Sequence, residues 1–230
     1  MTSSSHRDLL VIGSGGFGRE TVEAVRAINA AGGSWQILGY LDDDPELHGK
    51  VVDGVPVLGG IAEVSSYPGA LVVVCTGRPD NYLSRPRIVG ALGLSPGRYA
   101  TIIHPSASVS SSSRVGAGSV ILAQTVLTAS VSVGSHVAIM PHVTFTHDDI
   151  IGDFATVASG VRLGGGVRIS AGAYIGSGAL VREHRTIGSG ALVGMGAVVT
   201  HDIPAHEVWA GAPARYMRTQ KTDPNYSRLD

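Results

Sequence analysis

The chain repeats every six residues. From Ile103 to Val199, each step of six lands on an aliphatic or aromatic side chain, and no insertion shifts the register. Two residues before each of these positions stands Ala, Ser, Thr or Val, except at Asp149 and Arg185. A period of six is too short for a helical unit, so each repeat must be one short strand and one turn, stacked on its neighbours as a β-solenoid. Apolar residues two apart share a strand face, which makes both positions inward-facing. Glycine often follows the aliphatic position, as at Gly116, Gly134 and Gly152, where a turn is expected to use its conformational freedom. With 32 glycines and only 5% aromatics, the composition suits tight turns and small side chains.

Residues 1–98 have a different texture. Asp8 to Gly13 reads as a buried strand, Gly13 to Gly18 as a glycine loop, and Arg19 to Ala31 as a helix with Val22, Val25 and Ile28 on one face. Gln36 to Asp42 and Leu71 to Thr76 supply two further strands. This alternation predicts a small Rossmann-like α/β domain over 1–98, ahead of an all-β solenoid over 99–230. The polar stretch from Tyr216 to Asp230 reads as a short helix or a loose tail.

Composition excludes several functions. A formal charge of -1 gives no global field to draw the chain to nucleic acid or an anionic membrane. A single cysteine, Cys75, rules out an internal disulfide framework, and the N-terminus lacks the charged and apolar regions of a signal peptide. A cytoplasmic protein is expected. No segment reaches the eighteen or so apolar residues that a membrane helix requires.

Two groups of residues carry chemistry. Gly13, Gly15, Gly16 and Gly18 form G-x-G-x-x-G between a strand and a helix, where backbone N–H groups bind phosphate. Asp42, with Leu41 before it, ends the second strand, where an acid can accept from a ribose hydroxyl. Thr76 and Gly77 end the third strand, another place where ligands collect in open parallel sheets. A single mononucleotide-binding half favours a nucleotide sugar over a full dinucleotide site, while a plain tight turn is the structural alternative.

The second group is His147, Asp148 and Asp149. Residues eighteen apart stack in adjacent coils of three repeats, which sets His147 between Ala129 and Gly165 and leaves room beside the imidazole. Asp148 can fix its tautomer as the partner of a general base. Asp149 occupies an inward slot between Val131 and Val167, so it must find partners or distort the strand. His136 and His142 near His147 invite a zinc reading, but the third ligand is missing in register and no metal site is expected.

The hexapeptides, the glycine loop, IIHPSA at 102 to 107, THDDIIGD at 146 to 153 and VWAGAPARYMR at 208 to 218 together resemble a family of hexapeptide-repeat sugar acetyltransferases. Its relatives include sialic acid O-acetyltransferase and the bacillosamine-pathway nucleotide-sugar N-acetyltransferase. The resemblance implies a left-handed parallel β-helix, although the general crossover rule alone would give the right-handed form. It further implies acetyl-CoA as donor, a sugar or nucleotide-sugar acceptor, and a homotrimer whose neighbouring prisms share each cofactor cleft. His147 is then the general base and Asp148 its acidic partner. The backbone near Gly165 would face the thioester, while Thr156, Ser177 and Met195 would contact the cofactor.

Two positions depart from the family pattern: Thr156 replaces a frequent histidine, and Asp149 replaces a common cysteine. Asp149 therefore leaves the acceptor and the acyl group open. The competing readings are a non-catalytic nucleotide-sugar-binding scaffold and a zinc-dependent hydratase.

Overall fold

The computed structural model describes residues 6–220. Near the N-terminus, five strands form a sheet in the order β3-β4-β2-β1-β5. These are β1 (Arg7–Ile12), β2 (Trp35–Leu41), β3 (Val51–Val52), β4 (Val55–Gly59) and β5 (Leu71–Val74). β1 pairs in parallel with both β2 and β5, and β2 in parallel with β4. The expected parallel domain is present, with an antiparallel β3–β4 hairpin that the sequence reading missed. α1 spans Gly16–Ala30, so the end of the glycine loop is already its first turn. Val22 and Val25 are fully buried on the sheet, and each contributes about 1.5–3 kcal/mol on that account. A second helix, α2 (Ser84–Leu92), follows β5.

Tyr99 still bridges to Val72 beside β5, and three residues later Ile102 opens the first coil by donating to the Ser119 carbonyl. From there the chain winds as a left-handed parallel β-helix of three flat faces. The first face runs from Ile102–Ile103 to Leu192–Val193 and is extended by Glu207–Ala210 and Arg215–Thr219. The second runs from Ser108–Val109 to Val198–Val199, and the third from Arg114–Val115 to Thr186–Ile187. Strands eighteen apart pair in register, as Val126 with Thr144 and Ala138 with Thr156. Aliphatic side chains such as Leu127, Phe145 and Ile169 fill the axis. Where a short helix or loose tail was expected to begin, Arg215–Thr219 is a strand antiparallel to Glu207–Ala210, because its backbone completes the first face. Residues 221–230 lie outside the described part.

The glycines that follow the aliphatic positions have a different purpose from the expected one. Gly116, Gly134 and Gly152 do not adopt positive φ; a Cβ on any of them would come within 2.3–2.6 Å of the next coil. The left-handed residue comes two places later in each turn and need not be glycine: His136, His142, Asp148 and Phe154 have φ of 55, 62, 62 and 60°. Close stacking of coils therefore selects the glycines, and the turn tolerates side chains.

The α/β domain docks on the outer surface of the first face. Ile102, Val120 and Leu122 share one apolar cluster with Leu9, Val22 and Val25. Arg85 of α2, 1% exposed, seals the junction by donating to the carbonyls of Thr76, His136, Phe154 and Ala155 and to the Thr156 hydroxyl. Among the described residues no helix is long and apolar enough to cross a membrane.

Candidate functional site

A cleft of about 720 Å³ opens at the strand ends of the α/β domain, lined by Gly13, Ser14, Gly15, Gly16, Asp42, Thr76 and Gly77 among others. Gly13 turns the chain out of β1 at φ 93°, and its carbonyl lies 2.0 Å from where a Cβ of Gly18 would be. Only glycine at 18 lets α1 start so close to the strand. Gly15, the residue before α1, brings no side-chain cap, so the helix N-terminus presents its N–H groups to the cleft.

Asp42 has internal work. Its Oδ2 accepts from the Ser14 N–H at 2.8 Å and the Ser14 hydroxyl at 2.7 Å, and its Oδ1 from the Asp44 N–H at 3.2 Å. Burial pushes this carboxyl up, but the Ser14 and Asp44 donors outweigh it and hold the group below the ordinary carboxylate value. Asp42 thus fixes the glycine loop as well as lining the cleft. Leu41 is fully buried; its carbonyl accepts from the Gly13 N–H at 2.9 Å, so its contribution is backbone. At the opposite wall the Thr76 hydroxyl accepts from Ser84, and Gly77 at φ 129° lets Arg85 approach. Arg19, Arg78, Asn81 and Arg87 also line the cleft and escaped sequence reasoning. Arg78 follows Gly77 directly and was within reach of the strand-end argument; Arg87 sits on a helix with no periodic signal.

His147 stands in the turn between the second and third faces, with its side chain 64% exposed. The imidazole packs against Gly165, where an added Cβ would come within 2.4 Å of Cε1 and Nε2. The stacking predicted from the eighteen-residue step is thus observed. Nδ1 is 2.9 Å from Asp148 Oδ2. A carboxylate only accepts, so Nδ1 carries the hydrogen and Nε2 presents its lone pair outward. Asp149 is fully buried and accepts from the Thr146 N–H at 2.9 Å and the Val167 N–H at 2.8 Å. Burial pushes this carboxyl up to about 7 against the pull of those two donors.

The remaining expected positions are dispersed. Ser177 and Met195, both exposed, stand at the edge between the first and second faces, one face away from His147. Thr156 points out of the first face beneath the α/β domain, 2% exposed, with its hydroxyl 2.7 Å from Arg85 Nη2. A cofactor contact expected at Thr156 conflicts with that enclosure. His136 and His142 occupy two other edges from His147, so the three do not converge. The α/β domain packs on the first face, whereas the His147 edge is the one edge that this face does not border. Cys75 is buried and pushed up to about 12 by that burial, which leaves it inert as a nucleophile.

Residues 8–81 match the family described as PglD N-terminal domain. Among solved structures, the acetyltransferase domain of PglB from Neisseria gonorrhoeae, in complex with acetyl coenzyme A, is 32% identical with a TM-score of 0.81 over 93% of this chain and 100% of that one. A histidine-to-alanine mutant of GDP-perosamine N-acetyltransferase from Caulobacter crescentus, in complex with CoA and GDP-perosamine, is 27% identical with a TM-score of 0.80, over 94% and 98%. WeeI from Acinetobacter baumannii is 29% identical with a TM-score of 0.79, over 92% and 100%. None of the curated proteins matches the sequence.

Proposed function

The chain belongs to the hexapeptide-repeat sugar acetyltransferase family, and from that premise we propose that it acetylates the amino group of a nucleotide-linked sugar, with His147 as general base. It is an acyltransferase, and its donor is acetyl-CoA. The observation that carries the residue assignment is the imidazole laid over Gly165 on an open edge, with Nδ1 held by Asp148 at 2.9 Å. An amine is favoured over a hydroxyl by the named N-acetylation of the perosamine enzyme.

Each part of the reaction has a place. The helix N-terminus at Gly15 and Gly16 takes the phosphates of the nucleotide sugar, Gly13 and Thr76–Gly77 shape the walls, and Asp42 flanks the ribose and base, with the buried Leu41 supporting the loop through its carbonyl. Nε2 of His147 removes a proton as the acceptor nitrogen attacks the thioester carbonyl. The Gly165 N–H donates to the carbonyl oxygen as charge develops there. The carbon–sulfur bond then breaks, and the proton held by His147 passes to the departing thiolate. No covalent enzyme intermediate enters.

The dispersal of the site supports a homotrimer. The α/β domain covers the first face, His147 stands on the edge opposite that face, and Ser177 and Met195 lie one edge off, an arrangement that supports a site completed where prisms stand side by side. Ile150 and Leu180, outward on the third and second faces and 39% and 43% exposed, are the apolar side chains that such contacts would cover. An acetyl-CoA consumption assay across nucleotide-linked amino sugars and free sugars, with mass detection of product, tests the proposal. A product heavier by one acetyl group on a nucleotide-linked amino sugar is expected. No turnover on the panel and no heat of acetyl-CoA binding in calorimetry would leave the scaffold reading standing.

A further inference from the structure

The ladder joining coils of the second face is interrupted at one rung. The residue just after each strand donates its N–H to the next coil: Ser110 to Leu127, Thr128 to Phe145, Gly164 to Val181 and Arg182 to Val199, at 2.8–3.1 Å. Thr146 holds the same place between Thr128 and Gly164, yet its N–H goes to Asp149 Oδ2. The Leu163 carbonyl left behind is taken by the Thr146 hydroxyl at 3.2 Å. Strand pairing shrinks with it, to the single pair Thr144–Arg162, where the neighbouring pairings on this face keep two. The displaced turn is the one that carries His147 and Asp148.

Asp149 therefore does two separable things. Its Oδ1 ties the Val167 N–H of the next coil, as the hydroxyls of Ser113 and Ser119 tie Val131 and Val137 from the corresponding inward slots. That bond is a general device of this prism. The hold of Oδ2 on Thr146 is the part that a serine cannot reproduce, because one hydroxyl lacks the second acceptor arm.

We propose that Asp149 is a positioning residue for His147, drawing the Thr146 N–H out of the ladder and so setting the height of the imidazole above Gly165. The inference rests on the reading of His147 as general base. It also predicts a pH signature, since protonation turns one carboxylate oxygen into an O–H group and weakens its hold on an N–H. The valines stacked above and below carry no charge, and the charged groups that face Asp149 are His147, which favours ionisation, and Asp148, which opposes it. Burial raises this carboxyl to about 7, so falling pH loosens its hold on Thr146 near neutrality.

Steady-state kinetics of Asp149→Ser and Asp149→Asn across pH tests this. The serine variant keeps the Val167 tie and sheds a buried charge, so its thermal midpoint is expected to match or exceed that of the parent. Its kcat is expected to fall by about tenfold to a hundredfold, the cost of a misplaced catalytic group, with KM for acetyl-CoA within about twofold. The acid limb of its kcat profile should lose one titrating group. Asp149→Asn, which sets an NH2 against an N–H, should move kcat the same way. A purely structural role would lower the thermal midpoint and leave the acid limb in place. Parental kcat and acid limb in a folded serine variant overturn the proposal; should that variant not fold, the same result in the asparagine variant does so. His147→Ala separates the two readings: if it is inactive while Asp149→Ser is fully active, only the positioning role falls, and if it is active, the general base falls first.

Discussion

The cleft of the α/β domain and the edge that carries His147 solve different problems by different means. At the cleft the chemistry is in the backbone: glycines bring N–H groups and a helix terminus to one place, and the carboxylate of Asp42 is spent largely on holding Ser14. At the prism edge the backbone is a scaffold and one exposed imidazole does the chemistry. A backbone site tolerates truncation of side chains and fails when a Cβ is added; a side-chain site behaves in the opposite way. Mutations that remove atoms and mutations that add them should thus separate the two regions.

The largest effect is expected from removal at the edge. His147→Ala should lower kcat by about a hundred- to ten-thousand-fold, the usual worth of general-base catalysis, while the thermal midpoint stays unchanged because the ring rests on the surface. Comparable turnover in the variant and the parent would assign the proton transfer to another group. Addition at the cleft comes next. Gly18→Ala drives a Cβ to 2.0 Å from the Gly13 carbonyl and should cost about 1–3 kcal/mol or more of stability, read as a lowered thermal midpoint. Gly15→Ala is the control, since nothing lies within 4 Å of its Cβ and φ is not positive. It should fold as the parent does and weaken only nucleotide-sugar binding in calorimetry. If both variants are equally stable, the closeness of helix and strand is not what selects Gly18.

What could be read from the sequence follows the same division. The prism was legible because its contacts are periodic: a residue's stacking partner is always eighteen places away, so His147 over Gly165 needed no knowledge of the rest of the molecule. The glycine loop was legible because strand, loop and helix are contiguous. Contacts between the two domains have no period. Arg85 looks like any helical arginine in sequence, yet it is buried across five acceptors, one of them the hydroxyl of Thr156, which is enclosed at the same junction. Asp149 was visible as an anomaly, but its partners were not, since one of them is an N–H that the regular ladder assigns elsewhere. Glycines after the aliphatic positions were found for the wrong reason, because sequence marks where glycine stands and not whether a turn or a neighbouring coil demands it.

A smaller effect tests whether Asp42 is an organiser or a ligand. In Asp42→Asn the Oδ1 and Oδ2 positions no longer both accept, so one of the Ser14 and Asp44 donors faces an NH2. KM for the nucleotide sugar should rise by about tenfold with kcat held, the size of a lost hydrogen bond to a charged group. An unchanged KM would mean that the loop keeps its shape without the carboxylate.

The smallest effect probes the seam between the two regions. His136 is 7% exposed, stacked on Phe154 at 5.1 Å and edge-on to Tyr99 at 4.5 Å, and its Nδ1 has no hydrogen-bond partner among the described residues. Burial, then the nearby Arg85 charge, lower it to about 4 from its ordinary 6.5. The folded protein therefore keeps this ring neutral while the unfolded chain takes up a proton as pH falls. The sign follows: the contribution is fully present above about pH 6.5 and is lost progressively as pH falls toward about 4. Phe154 shows that phenylalanine accepts the same turn position at φ 60°, so His136→Phe can fill the site without a titrating group. Its thermal midpoint should decline less steeply than the parent's over that acid range, while kcat at neutral pH is unchanged. Parallel declines in the two proteins would place the acid sensitivity elsewhere, and the seam would then hold by Arg85 and apolar contact alone.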